Sequence, residues 1–294
     1  MEKRYRIISK KNNYFDIVNS SVTFLEPHQK YLLKSLEFSN DVNIADTENH
    51  MQDGKSYINS SLNIKNITLV FTILGDTTQE LKELKRRLLQ ATNPKEKQFK
   101  LIDLIENKAI ECVVDSIPEF EKLNETTELC KMDLTAHNPY WQDTEDIKED
   151  IVSWTNLFEF PIEVPVEGLE FATRNQDLIV NVINSGDVST GMIIVFKANA
   201  SVVNPSLTDI NTQKFIKLKY TMAAGEEIRI NRNFNNKRID STLNKITTNV
   251  FKNLDWESTF LQLDVGDNLF RYNAESGLTN LDVSIYYNNS YLGV

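Results

Sequence analysis

Strict alternation of apolar and polar residues, broken repeatedly by Gly, Asn and Pro, runs through the last third of this 294-residue chain. Ile216, Leu218, Tyr220 and Met222 face one way against Lys217, Lys219 and Thr221, and Leu281, Val283, Ile285 and Tyr287 repeat the pattern. A period of two sends successive side chains to opposite faces, so these segments can bury an apolar face only as strands of a sheet. Asn184-Ser185-Gly186-Asp187, Asn204-Pro205 and Ala224-Gly225-Glu226 supply the turns between them. With no helical period in between, the pattern predicts a β-sandwich.

The first half is also mainly β. Ile67, Leu69, Phe71 and Ile73 share a face opposite Thr68 and Thr72, and further strands are expected over 14–19, 36–38, 99–104, 110–114 and 129–134. Leu62 and Ile64 fall out of register with Ile67, which predicts a bulge near Asn66. The polar, turn-rich stretch 41–54 reads as a long projecting loop. One helix interrupts the strands at about 78–91: Thr77 and Glu80 form a capping box, Leu81, Leu84 and Leu88 an apolar stripe, and Asn93-Pro94 a stop. Its other face carries Lys82, Glu83, Lys85, Arg86, Arg87 and Gln90, either a solvated surface or a dock for an acidic neighbour, with Glu83 and Arg87 spaced for an ion pair.

Asp143, Glu145, Asp146, Glu149 and Asp150 crowd one short stretch with few apolar residues. Self-repulsion should keep it extended. The expected organisation is a β domain over 1–141, an acidic linker over 142–153 and a sandwich over 154–294. Pro161 and Pro165 would confine the start of the second domain to an edge strand or lead-in arm.

Charge and motifs narrow the function classes. Lys and Arg number 32 against 42 Asp and Glu, a net charge of -10 that argues against wrapping nucleic acid. The N-terminal residues lack a signal-peptide core and no run of 18 apolar residues occurs, so folding in a cytoplasm and no membrane contact are expected. Cys112 and Cys130 then read as reduced, buried thiols. His28, His50 and His137 have no metal-ligand spacing, and neither a nucleophile elbow nor a phosphate loop occurs. No catalytic, cofactor-binding or metal residue is therefore expected, although paired carboxylates leave no linear signature. Trp154 and Trp256 should fill the sandwich core; exposed, either could stack on a sugar ring.

Several fragments, in order, resemble the distal tail proteins of tailed bacteriophages. In the second half they are Asn184-Ser185-Gly186-Asp187, Gly191, Asn204-Pro205, Ala224-Gly225-Glu226, Asn268-Leu269-Phe270-Arg271-Tyr272 and Tyr291-Leu292-Gly293-Val294. In the first they are Asp53-Gly54, the strand over 62–74, the Leu-rich helix, Pro118-Glu119-Phe120 and Asn138-Pro139-Tyr140-Trp141. The resemblance implies a β-barrel-like N-terminal domain that closes into a hexameric ring, and a galectin-like β-sandwich projecting outward. It implies an architectural, non-enzymatic baseplate hub at the virion tail tip, joining the tail-tube protein to a tail-tip, tail-lysin or receptor-binding protein. A ring needs two different patches per subunit; the helix face (Lys82, Lys85, Arg86) and the loop (Asp46, Asp53) are the candidates. A fragment ending near Trp141 should then still assemble. The competing expectation is a carbohydrate-binding module that grips host cell-wall glycans.

Overall fold

The structure, a computed structural model, describes residues 3–19, 29–48, 50–51, 53–96, 98–151, 154–156, 172–174, 179–233 and 236–293. His28, the Pro161 and Pro165 segment and the side chain of Trp154 lie outside the described residues. The chain divides into two compact units, one reaching Thr144 and including the residues from Tyr291 onward, the other spanning Glu145–Ser290.

The first unit is a closed barrel. Its strands are β1 (Arg4–Ser9), β2 (Tyr14–Asn19), β3 (Tyr31–Glu48), β4 (Lys55–Leu74), β5 (Phe99–Asp103), β6 (Lys108–Val114), β7 (Glu119–Lys122), β8 (Thr127–Ala136) and β9 (Trp141–Asp143). Neighbouring strands run β6-β5-β1-β2-β3-β4-β8, and β8 returns to β6 through Val113 with Thr135 and Val114 with Leu134. Closure pairs the two edges that an open sheet would expose. Inward positions fill the interior, with Ile7, Ile17, Ile67, Leu69, Phe71, Leu101 and Cys130 fully or almost fully buried.

Helix α1 (Thr78–Ala91) joins this core through Leu81, Leu84, Leu88 and Ala91. The Thr77 hydroxyl accepts from the Glu80 amide at 3.1 Å, while the Glu80 carboxylate accepts from the Asp76 amide at 2.6 Å, one residue further back than a capping box requires. At the other end the Thr92 hydroxyl donates to the Leu88 carbonyl. Bare backbone is needed at Gly75, where an added Cβ would lie 2.9 Å from the Leu81 amide nitrogen.

Three expectations are corrected here. Residues 41–54 are not a loop: β3 and β4 stay paired from Tyr31 with Ile73 out to Glu48 with Lys55, and only the residues between turn. The polar residues that suggested a loop are tolerated because both faces of this ribbon meet solvent. Of the three register shifts along this hairpin, the one that puts Leu62 out of step with Ile67 lies between the pairs Asn40–Lys65 and Val42–Leu62, at Asn63 and Ile64 rather than at Asn66. The acidic stretch is in large part strand: Gln142 and Asp143 belong to β9, which pairs with β6, and β10 (Ile147–Asp150) pairs with a strand of the second unit. Local ion pairs offset the self-repulsion, since Lys108 holds Asp143 and Lys148 holds Asp150 at 2.6 Å.

The second unit is a sandwich. A short pair, β11 (Trp154–Asn156) and β12 (Ala172–Arg174), precedes β13 (Ile179–Asn184), β14 (Thr190–Ala198), β15 (Val202–Val203), β16 (Ser206–Asp209), β17 (Phe215–Lys217) and β18 (Thr221–Met222). Then come β19 (Glu227–Asn233), β20 (Asn236–Leu243), β21 (Ile246–Asn249), β22 (Gln262–Leu263), β23 (Gly266–Asn273) and β24 (Leu281–Tyr287), after which β25 (Ser290–Tyr291) joins the sheet of the first unit. One sheet has the order β10-β24-β14-β19-β20-β21 and the other β13-β23-β16-β17. Phe196, Ile228, Ile230, Val283 and Ile285 from the first meet Val182, Leu207, Ile216 and Phe270 from the second in one core. The expected continuous strand over 216–222 breaks at Leu218, which bridges to Leu254, yet Ile216, Leu218 and Met222 all point inward as the alternation requires.

The last residues return to the barrel. β25 lies beside β9, the Tyr291 hydroxyl donates to Asp143, and the Lys108 ammonium sits 3.6 Å from the Tyr291 ring centroid. Lys65, only 3% exposed, occupies the same inward register as Ile67 and donates to the Leu292 carbonyl at 3.0 Å. A fragment ending near Trp141 lacks that acceptor, so its Lys65 loses a buried partner. Deleting residues 291–294 should destabilise the barrel by about 1–3 kcal/mol in urea denaturation, because a buried donor loses its partner. Adding Lys65→Met to the shortened chain should recover most of the loss; no recovery would show that Lys65 is not the cause.

Alkaline pH supplies a second test. Burial pushes the thiols of Cys112 and Cys130 up to about 12, and burial likewise raises Tyr5 and Tyr31 to about 12. The folded barrel thus keeps protons that the unfolded chain releases near ordinary thiol and phenol values, so stability must fall as pH rises. Urea midpoints should decline steadily from about pH 9 toward pH 12, and Cys112→Ala with Cys130→Ala should flatten the early part of the decline.

Candidate assembly interface

The longest exposed element of the barrel unit is the outer half of the β3–β4 hairpin. β8 accompanies β4 only from Lys65 to Leu74, so 55–64 and the facing part of β3 form a two-stranded ribbon with no third strand among the described residues. At about 3.3 Å per residue the ribbon extends roughly 30 Å. Val42 stands opposite Leu62 and Ile44 opposite Ser60, so the two β3 side chains share a face, and Ile44 is 64% exposed. Tyr57 and Ile58 are as open, and Met51 at the turn is 95% exposed. Asp41, Asp46, Glu48 and Asp53 give this arm four acids against Lys55, which bonds Asp46 at 3.2 Å and reaches Glu48 at 3.5 Å.

A groove of about 760 Å³ opens between α1 and the β1–β2 hairpin. Its lining includes Arg4, Arg86 and Arg87, with Asn12, Asn13, Gln90 and two acids, Asp16 and Glu83. Asp16 is held in a two-pronged pair by Arg6, at 2.7 and 2.8 Å. Glu83 accepts from Gln79 at 3.4 Å, and the expected Glu83–Arg87 pair does not form. Among the described residues no ion pair engages Arg4, Arg86 or Arg87.

Of the residues singled out from the sequence, Asp46 and Asp53 fall on the arm and Arg86 on the groove, while Lys82 and Lys85 lie outside the groove lining. Asp46 and Asp53 sit on the arm, Asp53 exposed beside the turn at Gly54, whose φ of +85° suits glycine. Lys82 and Arg86 lie exposed on the helix, and Arg86 lines the groove. Lys85 is already engaged, with Glu128 at 2.6 Å and the Phe120 ring 4.4 Å away. Arg4 escaped the sequence reading because only the β1–β2 pairing brings it beside the helix; the lack of an acid four residues from Arg86 was the one available signal.

Trp256 departs from the core position expected for it and is 83% exposed. Its turn is pinned from below: the Asp255 amide donates to the Lys217 carbonyl, Lys219 pairs with the Asp255 carboxylate at 3.2 Å, and that carboxylate accepts from the Glu257 amide. The backbone bonds hold Asp255 in and leave the indole out. His50 and His137 are exposed, and no group of three His, Cys, Asp or Glu is arranged to hold a metal among the described residues.

Comparison with known proteins covers both units. Residues 11–129 match the phage tail protein RIFT-related domain, and residues 185–291 match the C-terminal domain of the siphovirus-type tail component. No curated protein sequence matches the chain. The fold is similar to SPP1 Dit (gp 19.1), whose crystal structure is described as a paradigm of the hub adsorption apparatus in phages infecting Gram-positive hosts. That match has a TM-score of 0.66 at 11% identity and covers 98% of this chain and 99% of that one. It is also similar to a chain of the phage p2 baseplate in its activated conformation with Sr, at a TM-score of 0.54 and 10% identity with full coverage of both. With two family domains matched in order along one full-length fold, the chain belongs to the siphovirus-type tail component family, the distal tail proteins of phages.

Proposed function

We propose that six copies of this chain close into a ring at the virion tail tip, a baseplate hub that joins the tail-tube protein on one face to a tail-tip, tail-lysin or receptor-binding protein on the other. The barrel unit forms the ring and the sandwich lies outside it. The role is architectural and needs no cofactor, nucleic acid or membrane. Family membership supports the reading, and one observation carries it toward assembly: the β3–β4 ribbon. A lone two-stranded ribbon is marginal in water, and exposed apolar residues along it mark a contact surface. A closed ring uses two different patches per subunit, and the helix face with Lys82 and Arg86 and the arm with Asp46 and Asp53 are separate surfaces of one unit. Mass photometry of the full chain should show particles six times its 33.9 kDa. A chain that stays monomeric at every accessible concentration would rule out the ring.

Trp256 favours a second reading, a carbohydrate-binding surface for host cell-wall glycans on the sandwich. An indole exposed at a turn whose backbone is fixed by Asp255 offers a flat apolar face on which a sugar ring can stack. A glycan array should give a signal that Trp256→Ala weakens at least about tenfold, the loss of one buried aromatic contact. An array silent for the native protein, or a signal untouched by the substitution, dismisses this reading.

A further inference from the structure

We infer that the two patches are the two halves of one contact: the acidic arm of one copy lies in the arginine-lined groove of the next. The inference rests on the ring reading and adds to it the identity of the touching surfaces. In a chain of net charge -10, three arginines gathered around one groove without ion-pair partners among the described residues stand out. Of the two acids in the groove, Asp16 is neutralised by Arg6, while Glu83 bonds only the uncharged Gln79 amide and keeps its charge, so the three arginines still outnumber the one free acid. The arm presents the opposite excess. Lys55 serves Asp46 and Glu48, which leaves Asp41 and Asp53 exposed and unpaired among the described residues.

Guanidinium groups suit carboxylates better than any other cation on the chain, because their planar donors match two carboxylate oxygens. Asn12, Asn13 and Gln90 line the same groove and can bond the ribbon's free backbone edge, while its apolar face with Val42 and Ile44 is covered in the same event. Reach is adequate: about 30 Å of ribbon extends past β8, far enough to leave its own barrel. A second copy is the occupant rather than an unrelated acidic protein, since a closed ring requires both complementary patches on every chain and this chain carries both.

Two full-length variants test the pairing. One, Asp41→Lys with Asp53→Lys, reverses the arm; the other, Arg86→Glu with Arg87→Glu, reverses the groove. All four positions are exposed, so circular dichroism and thermal midpoints should match the native chain. By mass photometry at low salt, each variant alone should need at least about tenfold more protein to assemble than the native chain, because like charges now face each other across the contact. An equimolar mixture should recover assembly, since a positive arm then meets a negative groove and a negative arm meets a positive one in alternation. The recovery should fade near 1 M salt, where screening acts within about 3 Å. Variants that assemble like the native protein, or a mixture that stays dissociated, overturn the pairing while the native ring stands. A native chain that never assembles overturns the ring reading and this contact with it.

Discussion

β4 is 20 residues long and β8, its partner on the barrel side, only ten. That difference in length governs what the barrel unit can present. Where both strands are present, the sheet wraps onto itself through the β6–β8 closure. Where β8 stops, β3 and β4 continue as a ribbon whose outer edges and both faces are open. A barrel alone would be self-contained; the overrun turns it into a unit with an unmet contact surface.

The barrel needs to be rigid for such an arm to be aimed. α1 contributes by burying Leu81, Leu84 and Leu88, and the Tyr31 hydroxyl donates to the Leu84 carbonyl, tying the helix to the base of β3. The returning C-terminus contributes at the other end of β4, where the Leu292 carbonyl satisfies Lys65 just before the ribbon begins. Phe38, close to the same transition, meets the buried Trp141 ring edge-on at 5.8 Å. Polar and aromatic contacts therefore brace the place where a supported strand becomes an unsupported one.

Sequence identity near 10% to proteins of the same fold shows how little of a β architecture depends on particular side chains. A core accepts many apolar residues provided that volume and alternation are kept. The same tolerance limits functional inference, because a shared fold places surfaces without dictating what they bind. The arm's acids, the groove's arginines and the exposed Trp256 are properties of this chain, and each has to be argued from its own chemistry.

The alternation at 67–73 and 281–287 and the capping of α1 were legible along the chain, since a strand's facing and a helix's start depend on neighbours a few residues away. So was the presence of a basic helix face and acids near residue 50. Barrel closure, the continuation of strand through 41–48 and 55–64, and the strands inside the acidic stretch were not. Each depends on a partner distant in sequence, such as Trp141–Asp143 beside β6 or Ile147–Asp150 beside β24. Trp256 fell to the same cause: composition favours burying an indole, and the bond that the Asp255 amide donates to the distant Lys217 carbonyl fixes the turn that leaves it outside. The groove's charge imbalance was likewise set in space, where Arg4 lines the same groove as Arg86 and Arg87 while Asp16 is held by Arg6.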